Sequence, residues 1–273
     1  MPVSEGKLRL GGMALRNGLL VHGPTHWAAA ARTAAGEVAV ASGRKPRLQA
    51  ADGIPGVRGL ARLAEAFAVI PLVKRGLPEA RLPFESPSVV GVAAGASLAG
   101  ALLRRRVPTA AGEAGAALVS LAPALFALRG GELAAYHGVE HKAIAAYEAP
   151  DDADAAEAAK EHDRCGSHLV TPMLAANLAG TLLLRRVLEK PGPLAGAGVA
   201  LASTAAAVEV FAWSERHAGS RVARALKRPG FELQRAIGTR EPDERQLAVG
   251  RAALAEILRV EAEMGSAPQP REA

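Results

Sequence analysis

The segment Glu132 to Glu148, ELAAYHGVEHKAIAAYE, has helix-forming composition and carries the residue types best suited to chemistry. On a helix, His137 and His141 stand one turn apart on one face, with Glu140 beside them. This spelling, H-x-x-E-H, is the inverted form of the zinc-metallopeptidase helix. In that helix two imidazoles bind the ion and the carboxylate between them acts as general base toward water. The spacing matters because both nitrogens must reach one zinc ion at about 2.0–2.1 Å. Seven histidines in 273 positions give an H-x3-H pair by chance about 0.15 times, and an acid between them lowers this to on the order of 0.015.

A two-histidine site needs a third protein ligand. Downstream, His162-Asp163-Arg164-Cys165-Gly166-Ser167-His168 offers two imidazoles and the sole thiol at three-residue steps. Cys165 as a thiolate would be a soft ligand, or a nucleophile assisted by His162 or His168. A lone cysteine also packs as a small hydrophobe. Glu209 is the other candidate ligand, since it interrupts a run of 24 otherwise neutral residues, 191–214. An acid within a membrane span is costly unless paired, protonated or bound to a cation. The same acid could instead form a structural salt bridge with Arg164 or Arg129.

The elements that must position these residues are read from the apolar runs. Of the 273 residues 49% are hydrophobic, 62 are alanine and 29 glycine, while aromatics make up only 3%. Small side chains favour closely packed helices over a β-sandwich. Uncharged runs extend from Ser86 to Leu103, Ala114 to Leu128, Leu169 to Leu184 and Pro191 to Val208. A spanning helix needs about 20 apolar residues. Two runs approach that length; residues 107–113 lengthen the second, and snorkelling of Arg185 and Arg186 extends the third. The fold class expected is mainly α: a polytopic helical membrane protein with about four spans in two hairpins and a small mixed α/β amino-terminal region. The competing reading is a soluble all-α protein with buried helices.

This organisation divides the chain into an amino-terminal extramembrane region (1–85), a first hairpin (86–128) and a central polar segment (129–168). A second hairpin (169–214), a helical carboxyl-terminal region (215–264) and a disordered tail (265–273) follow. Within the first region, Gly36-Glu37-Val38-Ala39-Val40 reads as a strand after a turn, and Gly53 to Gly59 as a loop. Leu63, Phe67, Ile70 and Val73 then recur at helical spacing, giving an amphipathic helix that lies either at the interface or on the protein's own core. Four spans put the three large regions on one side. They carry 27 of the 33 basic residues, so they are expected in the cytoplasm and the protein in the plasma membrane, although the short loops hold three basic residues each.

Other classes are excluded or disfavoured. One cysteine precludes an intramolecular disulfide framework and a C-x-x-C zinc ribbon. Despite a pI near 9.9, nucleic acid is not an expected partner: 26 of the 33 basic residues are scattered arginines without an aromatic stacking series beside them. Such positions suit a lipid bilayer with anionic headgroups. No nucleotide loop of the G-x-x-x-x-G-K-[ST] or strand-linked G-x-G-x-x-G type is present.

Tyr136-His137-Gly138-Val139-Glu140-His141-Lys142, followed by Tyr147-Glu148, resembles the bacterial YqhQ-like membrane family. That family is a domain of unknown function, DUF1385, described as a predicted metal-dependent enzyme. Gly11-Gly12, Gly23-Pro24 and Pro55-Gly56-Val57-Arg58-Gly59 resemble its amino-terminal blocks. His162, Arg164, Cys165 and Gly166 resemble its HPRCGT block, Glu209 falls where it has an acid in the last span, and Thr239-Arg240-Glu241-Pro242 matches its TREP block. Asn17 replaces a glutamate, Asp163 a proline, Ser167 a threonine and Ala248 a glutamate of that pattern. The resemblance implies an integral membrane protein with a metal centre and supplies no substrate.

The leading expectation is therefore a membrane metal-dependent hydrolase. His137 and His141 hold a divalent ion, zinc by preference, and Glu209 or Cys165, with His162 nearby, completes the coordination. Glu140 serves as general base and Arg164 stabilises developing negative charge. The alternative is a non-enzymatic scaffold or metal-handling protein using the same ligands; transport through so few spans would require a homo-oligomer.

Overall fold

A computed structural model describes residues 7–51, 54, 56–129, 131–149, 153–189 and 191–265, with the side chains of 264 and 265 left aside. The glycine-punctuated amino-terminal stretch forms an antiparallel meander of four strands in the order β1 (Gly11–Leu15), β2 (Gly18–His22), β3 (His26–Arg32) and β4 (Val38–Arg44). The register pairs Gly11 with His22, Gly18 with Ala31 and His26 with Arg44. Gly36, at φ 86°, makes the turn into β4, a backbone conformation costly for other residues. Only the start of β4 was expected as a strand. The longest apolar strand, β3, holds Ala28 to Ala31, residues that favour helices intrinsically.

Both faces of this sheet are covered. Ala28 and Ala30 face a core with Tyr136, Val139, Ile144, Val249 and Ile257, whereas Ala29 and Ala31 face Trp27, Val69, Val73 and Leu77. The first core joins the sheet to α6 (Glu132–Glu148) and α10 (Glu244–Gly265); the second joins it to α2 (Ile70–Gly76). Stretches far apart in sequence thus share one packed body. The expected amphipathic helix is two helices, α1 (Val57–Ala68) and α2, with Pro71 at the start of the second. The expected loop to Gly59 ends earlier, since Gly56 precedes α1 and a side chain at Gly59 would strike Val208. Gly53 and Pro55 lie outside the described residues, as do residues 266–273 of the expected tail.

Among the described residues, four helical stretches are long and apolar enough to cross a membrane: Pro87–Arg106, Ala110–Leu128, Gly166–Val187 and Pro193–Arg216. The first is α3 (Pro87–Arg106). The second is divided into α4 (Ala110–Val119) and α5 (Ala122–Leu128), because Pro123 cannot donate to the carbonyl four residues back. The third is a 3-10 turn leading into α7 (Val170–Val187), and the fourth is α8 (Pro193–Arg216). The two hairpins meet at the buried Glu113 of α4, which pairs with Arg104 at 3.0 Å and with Arg185 at 2.5 Å. Helix α9 (Arg221–Leu233), capped by the Ser220 hydroxyl, returns the chain through a π-helical turn at Gln234–Gly238 to α10.

Candidate metal centre

Helix α6 is enclosed on nearly every side, and glycines set how closely its neighbours approach. A Cβ at Gly12 of β1 would lie 2.8 Å from the Glu140 carboxylate, one at Gly138 would lie 2.3 Å from the Arg240 carbonyl, and one at Gly250 would lie 2.4 Å from Val139. Backbone therefore meets the helix where a side chain would otherwise stand. The Arg240 N–H donates to the Ala134 carbonyl (2.9 Å), and Lys142 joins Glu241 (3.1 Å) and the carbonyls of Ala156 and Ala158. These contacts fix the rotation of α6.

That rotation sends His137 and His141 to one side, with ring centroids 4.3 Å apart, toward Cys165 at the start of the 3-10 turn. The ligating atoms of the three residues all lie within 4.8 Å of one another. Cys165 Sγ is 3.3 Å from His137 Nε2. Each imidazole is held from behind, His137 Nδ1 by the Gly238 carbonyl (2.7 Å) and His141 Nδ1 by the Lys160 carbonyl (2.6 Å). A carbonyl can only accept, so each Nδ1 carries the proton and each Nε2 presents a lone pair. Nε2 of His141 is buried beside the thiol without a regular hydrogen bond. Burial pushes the His141 pKa below the usual imidazole range, which keeps the ring neutral.

A tetrahedral zinc ion with bonds of about 2.0–2.3 Å places its ligand atoms roughly 3.3–3.8 Å apart. Two neutral imidazole nitrogens and one thiol within 4.8 Å, each ring oriented by a carbonyl, fit such an ion. A set of two histidines and one cysteine would leave a fourth position for a non-protein ligand.

The cluster forms part of the wall of a cavity of about 520 Å³. Glu140, His162 and Arg164 line it together with Ala124 and Leu128 from the end of the second apolar stretch. Burial pushes the Glu140 carboxyl above its ordinary range, with the imidazoles of His137 and His162 opposing the shift. Arg164 and Glu148 form an ion pair in which both side chains are buried, and the Arg164 guanidinium also donates to the Leu10 carbonyl (3.3 Å). Burial alone would raise the Glu148 carboxyl, but His162 and Arg164 outweigh it and hold it low.

The expected residues therefore separate. His137, His141 and Cys165 come together, and Glu140 stands beside them on the cavity wall. The His162 ring is 5.6 Å from that of His141, but its Nε2 faces Glu148 at 3.7 Å. His168 packs between Phe211 and Phe231 and bonds the Lys227 carbonyl (2.9 Å), away from the thiol chemistry envisaged for it. Glu209 is not brought to the HxxEH helix. Its carboxylate accepts from the Gly56 N–H (3.1 Å) and pairs with Arg58 (3.2 Å), because α1 docks on α8 through Gly59. Neither Arg164 nor Arg129 is its partner.

Two residues of the site have no part in the sequence reading's chemistry. Glu148 lies two helical turns beyond His141, a spacing that could have flagged it. Gln234 is fully buried and clamps the cysteine loop by accepting from the His162 N–H (2.8 Å) and donating to the Ser167 hydroxyl (2.8 Å). It is 69 residues from Cys165 along the chain, and no local pattern marks it.

The fold and site thus define a mainly helical protein that has, among the described residues, four apolar helical stretches long enough for a membrane and one histidine–cysteine cluster. Residues 132–260 are similar to the family described as Protein of unknown function (DUF1385). The matched stretch begins with α6 and contains His137, His141 and Cys165, while the sheet precedes it. No curated protein and no solved structure matches the chain.

Proposed function

We propose that this chain is an integral membrane protein of the plasma membrane whose His137, His141 and Cys165 hold a divalent cation, zinc by the softness of the thiolate, for hydrolysis at the membrane surface. The finer likeness to YqhQ-like predicted metal-dependent enzymes belongs to this reading, as does a cytoplasmic position for the sheet, α6 and α10. The observation that carries it is the trio of ligand atoms with both Nδ1 positions tied to backbone carbonyls. A cation held there supplies Lewis-acid polarisation of a carbonyl or phosphoryl oxygen. Glu140 takes a proton from water at its carboxylate and returns it to the leaving group. Arg164, held by Glu148, turns its remaining N–H groups to the developing negative charge. Ala124 and Leu128 add apolar surface to the cavity wall beside these polar groups. The acids of the apolar helices, Glu113 and Glu209, are engaged by arginines, which favours hydrolysis over an ion conduit.

Element analysis of the full-length protein purified in detergent tests the reading. Wild type should retain about one zinc per chain, His137→Ala/His141→Ala should retain none, and Cys165→Ser should bind at least tenfold more weakly. Glu140→Gln should keep the metal while losing turnover of any hydrolysable substrate found by screening. Wild-type protein that stays free of metal after growth with added zinc would sink the proposal.

A further inference from the structure

A second cavity, of about 670 Å³, gathers five arginines, Arg16, Arg32, Arg81, Arg129 and Arg245, against two acids, Glu132 and Asp243. They come from separate pieces of chain: the β1–β2 turn, the end of β3, the approach to α3, the end of α5 and the start of α10. This is convergence in space, unlike the sequential run Arg104 to Arg106.

Two of the five are engaged. Arg32 donates to the carbonyls of Gly36 (3.3 Å) and Arg245, and the Arg129 guanidinium stands 4.6 Å from the Phe126 ring centre. The side chains of Arg16, Arg81 and Arg245 make no ion pair among the described residues. The two acids do not answer them either. Glu132 receives the Gln246 amide at 3.5 Å, and Asp243 accepts from the Gln246 N–H at 2.8 Å. Five guanidiniums against two carboxylates, with Glu85 also within electrostatic range of Arg16, leave the cleft net positive, and a concave site concentrates that field. Their planar forks match the oxygens of a phosphate better than a point cation would.

The position of the cleft indicates where such a phosphate would come from. Ser86 and Ser88, at the start of α3, and Phe126 and Ala127, at the end of α5, complete its wall. Both ends belong to the first apolar hairpin, so the guanidiniums lie at headgroup level and Val89, Phe126 and Ala127 form an apolar flank on the side of the hydrocarbon. We propose that this cleft binds the phosphate of an anionic lipid headgroup. The inference rests on the bilayer part of the reading above and is independent of the metal.

The test uses full-length protein released from vesicles of phosphatidylcholine containing a minor fraction of phosphatidylglycerol, with retained lipid counted by native mass spectrometry. Wild type should keep phosphatidylglycerol in preference to phosphatidylcholine. Arg16→Ala/Arg81→Ala/Arg245→Ala should weaken that retention about a hundredfold, at roughly fivefold per guanidinium. Arg105→Ala/Arg106→Ala should leave it unchanged. Arg81→Lys, which keeps charge without the fork, should be intermediate and guards against misfolding of the triple variant. Equal retention of the two lipids, or retention unaffected by the triple variant, would overturn the proposal. If inorganic phosphate alone displaces the lipid and raises the thermal midpoint in an arginine-dependent way, the cleft takes a free phosphate and the lipid assignment falls. Retained lipid on metal-free protein would leave this inference standing and remove only the metal reading.

Discussion

Helices α6 and α3 treat their surroundings in opposite ways. Helix α6 carries two histidines, two acids and a lysine beyond its first turn, yet 13 of its 17 residues are buried. Helix α3 has no charge before Arg104, yet of its 20 residues only Gly100 is buried. Leu98 and Leu194, on α3 and α8, are 63% and 89% exposed. In water this arrangement would waste apolar surface and strand polar groups inside the protein. Lipid around the hairpins would remove that cost, because the helices satisfy most of their own backbone groups and acyl chains would solvate the exposed side chains. The polar groups of α6 then need protein partners, and Lys142, His137, His141 and Glu148 all have them.

The comparison breaks most visibly at its ion pairs. Glu148→Ala would leave the Arg164 guanidinium buried and unpaired, at a cost of about 3–5 kcal/mol. A thermal midpoint lower by on the order of 10 °C is expected for a chain of this size. Glu113→Ala removes a carboxylate that is equally buried, but its partners Arg104 and Arg185 are 44% and 31% exposed and can snorkel to headgroups. Its cost should be near 1 kcal/mol. Thermal scans of both variants in the same detergent decide it: equal losses would mean that the hairpin arginines have no polar phase within reach.

Leu98→Arg tests the surroundings of α3 directly. At the middle of a spanning helix an arginine costs about 2.5–3.5 kcal/mol of insertion, whereas on a water-exposed surface the change stays within about 0.5 kcal/mol. The expected result is a marked fall in the fraction of protein resisting alkaline extraction from membranes. An unchanged fraction would mean that α3 is not in lipid.

A smaller effect is expected from His22, which packs against Gly11 and lines the same cavity as His137, His141 and Cys165. Burial, aided by Lys45, lowers its pKa from 6.5 to about 4. The folded chain therefore holds His22 neutral, while the unfolded chain protonates it below 6.5. The stability tied to the neutral ring is complete above pH 6.5, declines as pH falls toward 4 and levels off below that, by at most about 3 kcal/mol. His22→Gln should flatten this part of the stability curve in chemical denaturation at pH 7 and pH 4.5; an identical decline in the variant would assign it to other groups.

What was legible in the sequence follows from how local each signal is. The apolar runs and the H-x-x-E-H turn are local patterns, and both lead to elements found in the fold. The thiol could be placed near the imidazoles only as one of two options, because its approach depends on the loop that Gln234 clamps from the π-helical turn after α9. Glu209 was drawn toward the histidines by its isolation in a neutral run, but Gly59 lets α1 close on α8 and Arg58 reaches the acid first. No local pattern marks β3, whose alanines carry an intrinsic preference for helix. Pairing on both edges and burial on both faces override it, and small side chains let α10 and α2 come close.

The finest test of the contrast between α6 and α3 is one substitution made in both helices. An alanine at Gly138 would place its Cβ 2.3 Å from the Arg240 carbonyl, and backbone cannot step aside as a side-chain end can. A cost of about 1–3 kcal/mol is expected. Thr239 to Pro242 would lift from α6, and since His137 is oriented by the adjacent Gly238 carbonyl, zinc affinity should fall with stability. An alanine at Gly95 of α3 meets nothing within 4 Å. There the helix should gain up to about 1 kcal/mol from the better helix former, with zinc content unchanged. The pair is read by thermal midpoint and element analysis on the same samples. Should Gly95→Ala lower the midpoint instead, something packs on that face of α3, and a shift in oligomer size on chromatography would identify it as a second copy of the chain.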